Sequence, residues 1–158
     1  MKRLLLLILT ATLFSCNDGN FDIPSFEFES TVNTCGEYVL YRANEDDTEV
    51  IVLTLSSSDL GETIGEEQEH AISSTYNVVY RAFDSGFSSS YFCQDIPPTT
   101  PNVLKELNAE SGTIIITTSA GDPDGFVYDI VIEDLVFIDD KDKIVYNSFD
   151  FGSIEIDE

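Results

Sequence analysis

Thr113-Ile114-Ile115-Ile116-Thr117-Thr118, a Gly121-Asp122-Pro123-Asp124-Gly125 break, and Phe126-Val127-Tyr128-Asp129-Ile130-Val131-Ile132 follow one another in the chain. The first run is β-branched throughout, which suits a buried strand whose stiff side chains pack on a pleated surface. In the second, Phe126, Tyr128, Ile130 and Ile132 recur at period two and share one face. Gly, Asp and Pro between them are turn formers, so the two runs read as neighbouring antiparallel strands. Towards the C-terminus, Glu133-Asp134 interrupts the pattern before Leu135 to Ile138, which predicts a bulge or bend. The Asp139-Asp140-Lys141-Asp142 turn then returns the chain through Lys143 to Phe151, and Ile154 and Ile156 close it.

The same periodicity runs towards the N-terminus. Val103 to Glu110 fits two readings: Leu104 and Leu107 suit one helical turn, while Val103, Lys105, Leu107 and Ala109 alternate almost as well, and the strand is favoured. The Ile96-Pro97-Pro98-Thr99-Thr100-Pro101 segment cannot lie inside a sheet, because proline has no amide donor, and it reads as an extended crossover. Tyr91-Phe92-Cys93 follows a Ser/Gly turn at 85–90 and is predicted as a short strand, as is Tyr76 to Phe83. Residues 56–70 lack periodicity and read as a loop. Glu37 to Arg42 and Glu49 to Leu55, joined by Ala43-Asn44-Glu45-Asp46-Asp47-Thr48, form a hairpin. Phe26-Glu27-Phe28-Glu29 alternates apolar and acidic residues as a one-sided strand does. About nine short strands without a helix predict an all-β domain over 26–158. Its expected form is an antiparallel β-sandwich, Ig-like or similar, with a β-barrel as the second choice.

The first residues differ in kind. Lys2 and Arg3 precede Leu4 to Leu13, a stretch without charge. It is shorter than the roughly 20 apolar residues a membrane-spanning helix needs, and it has the size of a signal-peptide h-region. Leu13-Phe14-Ser15-Cys16 resembles the lipobox of bacterial lipoproteins, with a branched residue at −3 and a small one at −1 before the cysteine. Phe14 departs from the usual smaller residue at −2. The resemblance implies a signal peptide over 1–15, cleavage before Cys16 and lipidation of that cysteine. Each buried acyl methylene contributes about 0.8 kcal/mol, and one chain alone binds only marginally. A lipobox cysteine implies a diacylglyceryl group, often with an N-acyl chain, and so a lasting anchor. Residues 16–25, mostly polar and holding Gly19 and Pro24, read as an acidic tether.

Charge narrows the partners. The chain has 30 acidic residues against 7 basic ones, and two of the latter, Lys2 and Arg3, lie in the signal. Only Arg42, Arg81, Lys105, Lys141 and Lys143 remain beyond it. Such a surface repels phosphate backbones, so nucleic acid is not an expected partner. Nor does it gain from anionic headgroups. At 42% hydrophobic residues, 11% of the chain aromatic, it can still bury a core.

Three cysteines less a lipidated Cys16 leave Cys35 and Cys93, and an even pair in an exported protein is expected to oxidise. The alternative is two buried free thiols. Metal ligation by two isolated cysteines and one histidine falls short of the four ligands of structural zinc.

Chemistry is sparse. The single histidine, His70, sits in Glu66-Glu67-Gln68-Glu69-His70 and is expected on an exposed loop, without a nucleophile beside it. No Gly-x-Ser-x-Gly elbow accompanies it, so catalytic residues are not expected. Carboxylate pairs suited to hydrolysis arise by chance among 30 acids. Three acidic turns carry a calcium hypothesis: Glu45-Asp46-Asp47, Asp122 with Asp124, and Asp139, Asp140 with Asp142. Calcium takes six to eight oxygens, commonly from such loops, while Asp is also an ordinary turn former. Otherwise no cofactor is expected. The seven tyrosines, Tyr38, Tyr41, Tyr76, Tyr80, Tyr91, Tyr128 and Tyr146, could stack on a glycan if exposed together, but most lie in predicted strands and read as packing.

The polar tether Asn17-Asp18-Gly19-Asn20-Phe21-Asp22, the Tyr91-Phe92-Cys93-x-x-Ile96-Pro97-Pro98 segment and the Gly112-x-Ile114-x-Ile116-Thr117-Thr118 strand resemble small uncharacterised lipoproteins of Bacteroidota. That resemblance implies outer-membrane anchoring, with surface display open, and carries no activity with it. Asn17, not Asp, follows the cysteine, so the enteric inner-membrane retention pattern is not met. The expected function is a membrane-anchored, non-catalytic binding or structural module of the cell envelope. A glycan- or calcium-binding accessory of nutrient uptake is the first alternative, and a carboxylate hydrolase the last.

Overall fold

The computed structural model describes residues 27–36, 38–94, 96, 98–122 and 125–156. Eight strands are present among them: β1 (Asn33–Cys35), β2 (Val39–Ala43), β3 (Glu49–Thr54), β4 (Glu67–Ala71), β5 (Val78–Phe83), β6 (Val103–Ala120), β7 (Phe126–Asp139) and β8 (Asp142–Ile156). All pairings are antiparallel, in the order β1-β2-β3-β5-β6-β7-β8, with β4 also paired to β6. The all-β antiparallel expectation holds, and the sheet is curled into a half-barrel.

The strands are fewer and longer than expected because interruptions in the pattern are bulges, not ends. β6 is 18 residues long and joins the two runs read as separate strands. Its first part pairs with β5 over Val103 to Asn108 and its second with β4 over Thr113 to Thr117, while Ala109 to Ala120 pairs with β7. Register shifts at Ala109/Ser111 and Ser111/Thr113 mark the bend between those parts. There Gly112 takes φ +148° opposite Asp134 at φ 50°, so the interruption at Glu133-Asp134 is the predicted bulge inside one strand. A Cβ on Gly112 would lie 2.9 Å from Ile72 Cδ1 and 3.1 Å from the Glu133 carbonyl oxygen, so the bend also needs the missing side chain.

The two parts of the curled sheet face each other across one core. Leu40, Ile51, Leu53, Val78 and Tyr80 from one part meet Ile114, Ile116, Ile130, Ile132, Phe137 and Phe151 from the other. The Tyr80 hydroxyl donates to Glu49 Oε2 at 2.9 Å. Burial, and then the Glu49 charge, push its pKa far up, so it stays a neutral donor.

The seam between β2 and β8 is covered by residues 27–32, which form no strand and bend at Ser30, contrary to the alternation at Phe26-Glu27-Phe28-Glu29. Phe26 lies outside the described residues. The Glu29 amide donates to the Ala43 carbonyl at 2.8 Å, and the Phe28 ring meets Phe149 edge-on at 6.1 Å. Arg42 locks this seam. Its guanidinium donates to the carbonyl oxygens of Phe28, Glu29, Asp150 and Phe151 and lies over the Phe149 ring. A planar fork of five donors suits that spread of acceptors, which the compact ammonium of lysine cannot span.

Two further segments differ from expectation. Glu67–Ala71 is a strand, not loop, although Glu-Gln-Glu-His-Ala has no apolar alternation. Pairing with β6 alone leaves it little to bury, and charge is the usual composition of such an edge. Tyr91–Cys93 forms a single 3₁₀ turn instead of a strand. A strand would send Tyr91 and Phe92 to opposite faces, whereas here the two rings stand 5.0 Å apart in one aromatic cluster.

Candidate functional site

Residues 84–102 leave the sheet after β5 and return to it at β6, where Phe83 and Val103 are partners. The neck is tied by Asp84, whose carboxylate accepts from the Asn102 amide nitrogen at 3.0 Å and from its side chain at 2.6 Å. Those bonds hold the Asp84 pKa below the ordinary carboxylate range. The body of the excursion folds over the outer face of β2, β3 and β5. Phe87, Tyr91 and Phe92 pack there on Tyr41, Val50, Val52 and Phe83. Cys93 is joined to Cys35 of β1 across a Cα–Cα distance of 4.9 Å, which is the expected pairing. The Tyr41 hydroxyl donates to the Ser89 carbonyl at 3.0 Å, completing the attachment.

At one end of the half-barrel lies an open cleft of about 160 Å³. Tyr38 precedes β2, Phe126 and Tyr128 begin β7, and Ile156 ends β8; the antiparallel register sets Phe126 directly opposite Ile156. Ser57, Leu60 and Glu62 complete the lining from the loop after β3. That loop is held by the Asp59 carboxylate and by the Thr118 hydroxyl. Asp59, 3% exposed, accepts from the Ser56 amide at 2.7 Å, the Ser56 hydroxyl at 2.6 Å and the Tyr76 hydroxyl at 3.1 Å. Burial alone would raise the Asp59 pKa, but these bonds outweigh it and hold the group below its ordinary value. The buried Thr118 hydroxyl of β6 donates to the Gly61 carbonyl at 3.1 Å, next to Glu62. Burial, with the Glu62 charge second, raises the pKa of Tyr128, so its hydroxyl remains protonated beside that carboxylate.

At the other end, the turn between β7 and β8 carries Asp139, Asp140 and Asp142 around a hollow of about 150 Å³. Lys105 of β6 also lines it, its ammonium paired with Asp139. The chain thus brings its own cation to the turn proposed for calcium. Asp122 is exposed, with its amide bonded to Glu155, and Asp124 lies outside the described residues. Among the described residues, no group of three or more His, Cys, Asp or Glu side chains is arranged to hold a metal ion.

His70 is not on an exposed loop. It is half-buried in β4, its ring stacked on Tyr76 at 4.4 Å between centroids and 30° between planes. Its Nε2 is buried and has no hydrogen-bond partner among the described residues. Pairing of β4 with β6 draws the residue in, opposite Ile114, and no local pattern announced that pairing. None of the seven tyrosines is exposed: Tyr41, Tyr80, Tyr91 and Tyr128 are buried, and Tyr38, Tyr76 and Tyr146 are half-buried. They pack, as the positions of most of them in predicted strands suggested, although Tyr38, Tyr76 and Tyr91 lie outside the strands. Cys16, the signal segment and the tether lie outside the described residues. Among the described residues no helix is long and apolar enough to cross a membrane.

Of the cleft residues, Glu62 and Phe126 escaped the sequence as site candidates, since a lone acid in a loop and an aromatic at a strand start carry no signal until the ends of β7 and β8 are set beside the β3–β4 loop. No protein-family model, curated protein or solved structure matches this chain.

Proposed function

We propose that this chain is an exported lipoprotein of the bacterial cell envelope, anchored through lipid on Cys16, whose β domain is a non-catalytic binding module. The supporting observation is the cysteine count. Cys35 and Cys93 are joined, which leaves Cys16 as the odd cysteine, at the end of the lipobox-like Leu13-Phe14-Ser15-Cys16. A disulfide agrees with folding outside a reducing cytosol. An outer-membrane location is the matching proposal, with Asn17 directly after the anchor.

The non-catalytic part leans on His70. A general base must reach a substrate proton through its ring nitrogen, and Nε2 of His70 is sealed among protein atoms against Tyr76. The cleft at the end of the half-barrel instead favours a small ligand. Calcium at Asp139, Asp140 and Asp142 is the less favoured variant, because the Lys105 ammonium competes for the same oxygens.

Cys16→Ala tests the anchor. The wild-type chain, expressed in a bacterium fed labelled palmitate, should incorporate label and sediment with membranes; the variant should lose both. Membrane retention without label in the variant would overturn the lipoprotein reading.

A further inference from the structure

We infer that the cleft lined by Tyr38, Ser57, Glu62, Phe126, Tyr128 and Ile156 binds a small organic ammonium ion, with Glu62 as its counter-charge. This rests on the domain being a non-catalytic binding module and does not depend on the anchor. Three of the lining side chains are aromatic, two, Leu60 and Ile156, are aliphatic, one is a hydroxyl and one is a carboxylate. A cation with an apolar periphery gains from both kinds of wall: the carboxylate by charge, the rings by cation–π attraction and contact area. Other ligand classes fit the same walls less well. An anion meets Glu62 and a chain of net charge −23. A bare calcium ion needs six to eight oxygens, and aromatic walls do not supply them. At about 160 Å³ the cleft holds one small group, below the ~300–1,000 Å³ of clefts for larger ligands.

The contrast with the other end of the barrel is the independent observation. There an acidic hollow is served by the protein's own Lys105. Arg42 is committed to four carbonyl oxygens and Arg81 to Glu106, while Lys141 and Lys143 belong to the β7–β8 turn and the start of β8. The cleft's carboxylate therefore faces a site that no Lys or Arg among the described residues lines. The acidic surface around it raises the local concentration of cations and speeds their arrival.

The test uses the full-length chain in a non-ionic detergent and choline as the probe. Ligand-observed NMR should show saturable binding of choline, with a Kd on the order of 1 mM. Glu62→Gln keeps the shape of the side chain and should weaken binding about tenfold, while Glu69→Gln on β4, which removes the same charge elsewhere, should leave it nearly unchanged. Phe126→Leu keeps an apolar wall without the ring and should weaken binding several-fold. The uncharged tert-butyl analogue of choline should not compete. Absence of choline binding, equal weakening by the two Glu variants, or equal binding of the uncharged analogue would each overturn the inference. Conversion of choline to a new species, with Glu62 dependence retained, would support the ligand class and overturn the non-catalytic reading instead.

Discussion

The two faces of the sheet formed by β2, β3 and β5 are buried by different means. The inner face, with Leu40, Ile51, Leu53, Val78 and Tyr80, is covered by other strands of the same sheet. Its cover, β6 to β8, is held by long antiparallel ladders, so backbone pairing and apolar burial act together. The outer face, with Tyr41, Val50, Val52 and Phe83, is covered by an excursion that contributes rings but no strand. Without a ladder, that cover depends on side chains, on the Asp84–Asn102 neck, on a single backbone bond from the Phe87 amide to the Asp47 carbonyl and on one covalent bond. A sheet that curls over its own core needs no staple on the inside. Where a loop must be kept against a sheet, fixing it in place costs backbone entropy that aromatic contacts alone offset poorly.

The largest expected effect comes from breaking the covalent half of this contrast. Cys35→Ser with Cys93→Ser reopens a chain separation of 58 residues, and loop-closure entropy puts the loss at about 4 kcal/mol. Denaturant unfolding should show that loss. Hydrogen exchange should rise first at residues 84–93, while amides of β6 and β7 stay protected up to the global transition. If β6 and β7 lose protection together with the excursion, the two faces are one cooperative unit and the distinction fails.

A smaller loss, from the opposite side, is expected of Gly112→Ala. The new Cβ meets Ile72, Glu133 and Leu135 at a backbone angle of φ +148°, with a cost of about 2–3 kcal/mol. Because the bend in β6 carries the inner cover, the melting temperature should fall with no selective rise in hydrogen exchange at residues 84–93. An unchanged melting temperature would mean that the bend is set elsewhere.

The smallest effect separates the faces by pH. Asp59, in the rim loop of the inner side, has its pKa depressed in the fold. Its stabilisation is therefore complete above the unfolded value of about 3.9 and is lost as pH falls through the folded value. Asp59→Asn should cost about 1–2 kcal/mol near neutral pH and should flatten the acid limb of the stability profile. The outer cover, held by rings and sulfur, should not follow that limb. Equal acid sensitivity of wild type and variant would show that Asp59 does not fasten the loop.

Much of the strand content was legible from side-chain pattern: β7 alternates over Phe126 to Ile132 because one face meets the core, whereas β3 reads as an apolar run because both of its faces are covered. The disulfide was legible too, since setting Cys16 aside as the expected lipidation site leaves Cys35 one partner. Local pattern could not say that Val103 to Ala120 is a single strand, because a bulge and a strand end interrupt alternation alike. It could not find β4 either, whose Glu-Gln-Glu-His-Ala is ordered by pairing with β6 and not by its own residues. The cleft lay furthest from reach. Tyr38, Glu62 and Phe126 are far apart along the chain, and what joins them is the antiparallel register of β7 with β8 and the curl that brings their ends to the β3–β4 loop. Period and count are properties of neighbours in sequence, whereas a site is made by neighbours in space, and only tertiary pairing chooses those.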